Sequence, residues 1–233
     1  MRRSTVRAAP RPSLPPGVKL RVSARARRVS LKVDAAQGVV ELVVPKSISL
    51  ARAAQFAHTN KGWIAGRLAR LPPAVPFIPG ASIPILGVTY RVRHLANRRG
   101  TVSVDGDEIR VHGHREHLPR RLTDWLKAEA KRRIVPIARR LADRIGKTPR
   151  RIRVGDTTSR WGSCSPKGDL MFSWRLILAP ERVLIYVVAH EVAHLTHLNH
   201  GKRFWRRVES LVPNYEEQRA WLARHGPGLH RYG

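Results

Sequence analysis

The chain has one cysteine, Cys164, in 233 residues. An intrachain disulfide and a cysteine-rich zinc finger are both excluded, so any metal must rest on histidine and carboxylate. The compartment expected for such a chain is the reducing cytoplasm. No apolar run approaches the roughly 20 residues that cross a bilayer, which leaves no membrane partner. Acidic residues are also scarce: 16 Asp and Glu stand against 45 Lys and Arg, for a formal net charge of +29. A field of that size draws anionic partners such as nucleic acid or nucleotides. Arginine is nevertheless spread through every segment, as in RRLTDWLKAEAKRRIVPIARR, a pattern that equally suits solvated helix faces. Neither an aromatic–basic RNA signature nor zinc-finger spacing accompanies the charge.

What is present points to an α+β fold. The basic, proline-rich opening has no apolar stretch after it and reads as a disordered arm over residues 1–16. VKLRVSA, RRVSLKVD and VVELVVP are short β-branched runs, the last two joined through Ala35 to Gly38 in hairpin fashion. From Ser49 to Leu71, Ala53, Phe56, Ala57, Trp63, Ile64 and Leu68 predict one amphipathic helix, with Ser47 or Ser49 as its cap. More strands follow, including a hairpin around Asp105-Gly106, so 17–114 is expected to be a β-rich N-terminal domain with one helix. Residues 115–233 form the second expected domain. It opens with a helix from His117 to Ile145 that Pro136 should kink or divide. Strand-like runs RIRVGD, SRWGSCS and DLMFSWRLIL follow, then a long buried helix begun by Pro180.

That last helix carries HEVAH. Residues four apart share a helix face about 6 Å apart, so His190 and His194 can converge on one metal ion. Neutral imidazole suits zinc, one ion per chain, and a catalytic zinc takes three protein ligands. Glu191 directly follows the first histidine and is the candidate acid/base, taking a proton from the attacking water and passing it to the leaving group. The flanking Val183, Leu184, Ile185, Val187, Val188, Val192, Ala193 and Leu195 make the helix apolar nearly all round, hence buried. Two histidines and a glutamate buried without a metal would each need partners, at about 1–3 kcal/mol per unmet group. For the third ligand, His197 lies about 10 Å along the axis from His190, a poor arrangement. His200 can swing back if the helix breaks at Leu198-Asn199, and is preferred. Glu209, Glu216 and Glu217 stay as alternative third ligands from downstream helices.

These residues resemble a known family. SRWGSCSPKGDLMFSWRLILAPERVLIYVVAHEVAHLTHLNHGKRFW is similar to the YgjP-like predicted zinc metallopeptidases, relatives of SprT-like proteases. The resemblance is strongest from Arg151 to Trp221. It implies a zincin-like hydrolase domain, with His190, His194 and His200 as zinc ligands and Glu191 as acid/base. It also makes 159–165 or 169–177 the strand lining the substrate cleft. The RWGSC segment, Arg160 to Cys164, is part of the family pattern with open roles. Arg160 is a candidate for contacting a substrate carboxylate or phosphate, or for a structural ion pair, and Ser163 for donating a hydrogen bond to substrate. Tyr215 is a candidate for stabilising an oxyanion. Cys164 is either a reactive thiol or a small buried hydrophobe, and Trp161, Trp174, Phe204, Trp205 and Trp221 are assigned to the core.

The leading functional expectation is a zinc metallopeptidase acting on peptides or proteins. Hydrolysis of nucleoside triphosphates to pyrophosphate is the runner-up, since the positive charge favours a nucleotide substrate. A third reading is a nucleic-acid-associated SprT-like protease in which the arm and N-terminal sheet bind the nucleic acid.

Overall fold

The computed structural model describes residues 13–96, 100–157 and 160–233. Most of the expected basic arm therefore lies outside the described residues. Ser13 to Pro16, however, belong to the fold: Leu14 packs on the N-terminal core and the Ser13 carbonyl lies 2.9 Å from His58 Nε2.

The chain divides into two compact units between Leu71 and Pro72. The expected boundary at 114/115 differs because Ile83, Val92, Ile109 and Val111 are buried in one cluster with the helices that follow them. Alternation marks a strand as half-buried but does not say which core it faces.

In the first unit, β1 (Val18–Val22), β2 (Ser30–Asp34) and β3 (Val39–Val44) form a sheet in the order β1-β3-β2, with β1 parallel and β2 antiparallel to β3. The β2–β3 turn closes as expected, with Gly38 at φ 67° and Gln37 N donating to Asp34 Oδ1. The single helix expected from Ser49 to Leu71 is two, α1 (Leu50–Thr59) and α2 (Lys61–Ala69). Asn60 breaks it, its side-chain amide donating to the Phe56 carbonyl at 2.8 Å and pulling the backbone out of helical geometry. Ser49 is the cap, accepting from Arg52 N. Val40, Leu42, Val44, Ala53, Ala57 and Ile64 make this unit's core.

In the second unit, β4 (Ser82–Ile85), β5 (Val88–Leu95), β6 (Val102–Asp105) and β7 (Glu108–His112) form a mixed sheet ordered β4-β5-β7-β6. The expected β6–β7 hairpin turns through Gly106 at φ 59°. After a 3-10 turn at Arg115–His117 comes α3 (Leu118–Asp143), which runs through Pro136 undivided. A three-stranded sheet follows, β8 (Arg151–Gly155), β9 (Gly162–Cys164) and β10 (Asp169–Ser173), ordered β8-β10-β9. The strand expected over DLMFSWRLIL stops at Ser173, and Trp174–Leu178 is a fully buried 3-10 helix. Three helices complete the unit: α4 (Glu181–Ala193), α5 (Lys202–Leu211) and α6 (Tyr215–Leu229). Among the described residues the architecture is thus mixed α+β, with three small sheets and six α-helices. No described helix is long and apolar enough to cross a membrane.

Candidate metal centre

Helix α4 is the centre of the second unit. Val183, Leu184, Tyr186, Val187, Val188, Ala189, Val192 and Ala193 are all buried, so side chains from every face of the helix enter the core. Helices α3, α5 and α6 and strand β9 surround it. An apolar sequence of this kind is stable only when enclosed, and enclosure brings His190 and Glu191 inside with it.

The helix ends at Ala193 and His194 caps it. His194 to Thr196 form a turn and Leu198-Asn199 a bend, the break that the return of His200 requires. His200 Nε2 then sits 3.0 Å from His190 Nε2. One ring nitrogen from each of His190, His194 and His200 lies within 4.8 Å of the other two. None of Glu209, Glu216 and Glu217 belongs to this group, and all three are exposed. The imidazole rings rest on the fully buried Phe204 of α5, His194 stacked on it at 4.5 Å and His190 edge-on at 4.9 Å.

Three observations show that this set fits a metal. Tetrahedral zinc with ligands at about 2.0–2.1 Å spaces its nitrogens about 3.4 Å apart, a spacing inside the 4.8 Å that encloses the three nitrogens here. Burial pushes His190 down to about 3, helped by the neighbouring His194 and His200, so its imidazole is neutral and has a lone pair to give. His194 Nδ1 donates to the His197 carbonyl at 2.9 Å, which leaves Nε2 as the ligating atom. His197 therefore acts through its backbone, one residue beyond the turn, and its ring is outside the cluster.

Glu191 is only 6% exposed. Burial pushes its carboxyl up to about 7, and the positive charge of Arg160 works in the opposite direction. A carboxyl near neutrality can both accept and return a proton. Arg160 is exposed and forms no ion pair among the described residues, so of its two expected roles the structural ion pair is not found.

Strand β9 closes over Glu191. A Cβ built on Gly162 would stand 2.5 Å from Glu191 Cγ and 2.7 Å from its Oε1. Only glycine lets the strand come this close, the usual meaning of a glycine inside a strand. Cys164 shares that strand face, two residues on, and Ser163 by alternation faces the other way. The Cys164 thiol is pushed up to about 11, first by burial and then by the Glu191 and Asp169 carboxylates. That favours its reading as a small buried hydrophobe over a reactive thiol.

Beside His190 and Glu191 opens a cleft of about 210 Å³ walled by Trp161, Tyr186, Val187 and Leu222. Trp161, expected in the core, is half-buried and forms one wall, its ring stacked on His230 at 4.4 Å. Tyr215 does not line this cleft, because its ring is stacked between Trp205 (5.2 Å) and Tyr186 (6.1 Å). The sequence reading missed Gly162, Tyr186 and Leu222. A glycine following a tryptophan in a strand-like run was the one signal that could have found the first. Of the expected wall segments, β9 lies in 159–165, whose Ser159 is outside the described residues, and β10 lies in 169–177 as the central strand, one place removed from the edge.

No curated protein matches the chain. A solved structure, the metallopeptidase zymogen of Pyrococcus abyssi abylysin, is similar over 39% of this chain and 93% of its own, with 20% identity and a TM-score of 0.35. The model of the YgjP-like metallopeptidase domain matches residues 27–225, and on that span the chain belongs to the YgjP-like metallopeptidase family.

Proposed function

We propose that this chain is a zincin-like peptidase that holds one zinc ion on His190, His194 and His200 and cleaves peptide bonds with Glu191 as acid and base. The observation that carries the reading is the juxtaposition of three converging imidazoles with a buried carboxyl on the same helix, under an edge strand. Zinc bound there would supply Lewis acidity to the scissile carbonyl and to water.

The chain's own residues do the rest. Among the described residues strand β9 pairs only with β10, and its other edge would accept an extended peptide by main-chain hydrogen bonds. A peptide so placed crosses Glu191, which takes the proton of the attacking water and returns it to the leaving nitrogen. The cleft lined by Trp161, Val187 and Leu222 receives an apolar side chain next to the scissile bond. Arg160 stays near enough to bias Glu191 electrostatically and to meet a substrate carboxylate.

The test is metal analysis of the parent and of Glu191→Gln, followed by peptide and nucleoside triphosphate pools. About one zinc per chain is expected in both proteins, with peptide cleavage by the variant lower by about 10²–10⁴. A parent that is stable and zinc-free contradicts the reading. Hydrolysis of triphosphates without peptide cleavage transfers the site to nucleotide substrates.

A further inference from the structure

Away from the cleft, α5 presents an arginine face. Arg203, Arg206, Arg207 and Ser210 fall at i, i+3, i+4 and i+7, one side of the helix, while Phe204, Val208 and Leu211 are buried on the other. With His197 they line an open concavity of about 360 Å³. None of the three guanidinium groups has an acidic partner among the described residues, and Arg207 Nε is buried with no hydrogen-bond partner at all. Glu209, the helix's single carboxylate, makes no ion pair among the described residues either. Arg144 adds a fourth guanidinium at the end of the helix, donating to the Ser210 and Leu211 carbonyls.

Solvated arginine faces elsewhere in the chain are partly neutralised. On α3, Arg120 pairs with Asp124 and Arg132 with Glu129. Like charges three and four apart destabilise a helix by about 0.2–0.5 kcal/mol per pair, and α5 carries both spacings without compensation. The lining has no carboxylate, so its complement is an anion. Three charged forks need several anionic groups rather than one.

We infer that the α5 concavity is a binding site for the phosphodiester backbone of a nucleic acid. From residue 203 to residue 210 the helix rises about 10 Å. Phosphates of one duplex strand recur about every 3.4 Å of duplex axis, so about three fall within that length where the axis runs alongside the helix. Guanidinium forks hold phosphate oxygens two at a time. A peptide's carboxylates have no such fixed spacing, and the +29 net charge steers a long polyanion more than a small one. The site differs from the arm and N-terminal sheet expected to do this work, and it is separate from the hydrolytic cleft.

The experiment measures binding of the full chain to fluorescently labelled single-stranded and duplex DNA across a salt series. It compares the parent with the triple variant R203Q/R206Q/R207Q and with R133Q/R139Q/R140Q, which removes the same charge from exposed positions of α3. Glutamine keeps the helix propensity, and circular dichroism with zinc content verifies the fold. The α5 variant is expected to bind on the order of tenfold or more weakly, with the slope of log K against log salt shallower by about 2–3. The α3 variant should keep the parent slope. Equal losses in both variants, or no loss in the α5 variant, overturn the proposal. So does polyglutamate that competes as well as DNA per charge, which would make the ligand an acidic protein.

Discussion

The sheets β1-β3-β2 and β8-β10-β9 have the same topology. In each, the last strand is central, the first lies parallel to it, and the middle one pairs antiparallel at the edge through a tight turn that ends on a left-handed glycine, Gly38 or Gly168. They differ in what the edge strand faces. Strand β2 sends Leu31 and Val33 onto an apolar core, whereas β9 brings Gly162 onto the Glu191 side chain. The same arrangement thus serves packing in one unit and holds a buried carboxyl in the other. Chemistry resides in the residues placed on the arrangement and not in the arrangement itself.

Swapping small changes between the two edge strands tests this contrast. Gly162→Ala should lower peptide cleavage by about 10² or more, because the new methyl displaces Glu191 from its working position, while zinc content stays at the parent's value. In β2, Val33→Ala should cost about 1 kcal/mol of stability in denaturant and leave activity unchanged. If Gly162→Ala kept full activity, β9 would be no more than packing, as β2 is.

A second test uses the proton on Glu191 in the chelator-treated, metal-free chain. Its folded pKa of about 7 lies above the ordinary value of 4.5. The folded state therefore holds this proton more tightly than the unfolded chain. That contribution to stability is complete below about pH 4.5 and is lost as pH rises through about 7. An ionised Glu191 should then cost about 3 kcal/mol at pH 8 relative to pH 4. Glu191→Gln, which does not titrate, should melt above the parent at pH 8 and lose that advantage at pH 4. Parallel curves for the two proteins would mean that the carboxyl is solvated.

The smallest expected effect is at Cys164. With its thiol near 11, it should resist iodoacetamide at pH 7.5 in the folded chain and react readily in denaturant. Rapid alkylation in the folded state would reopen a thiol role.

Much of the metal centre was legible because its signals are local. HEVAH needs only the helix repeat, and the turn-tolerant Asn199 and Gly201 announced the break that returns His200. The hairpins ending at Gly38 and turning at Gly106 were equally local. What could not be read depends on distant contacts. The unit boundary falls at 71/72 because β4 to β7 share a core with α3 and α4, a choice that alternation leaves open. The helix over 49–71 divides because one amide at Asn60 competes with the backbone. Gly162 matters only because Glu191 lies beneath it, and Trp161 lines a cleft only because residues as distant in sequence as Tyr186 and Leu222 line it too.

The most direct test of the central claim is zinc content after dialysis for the parent and for His194→Ala, His197→Ala and His200→Ala. About one zinc per chain is expected in the parent and in His197→Ala, whose backbone carbonyl still braces His194, with loss of zinc in the other two. Zinc retained by His200→Ala, or lost from His197→Ala alone, would contradict it.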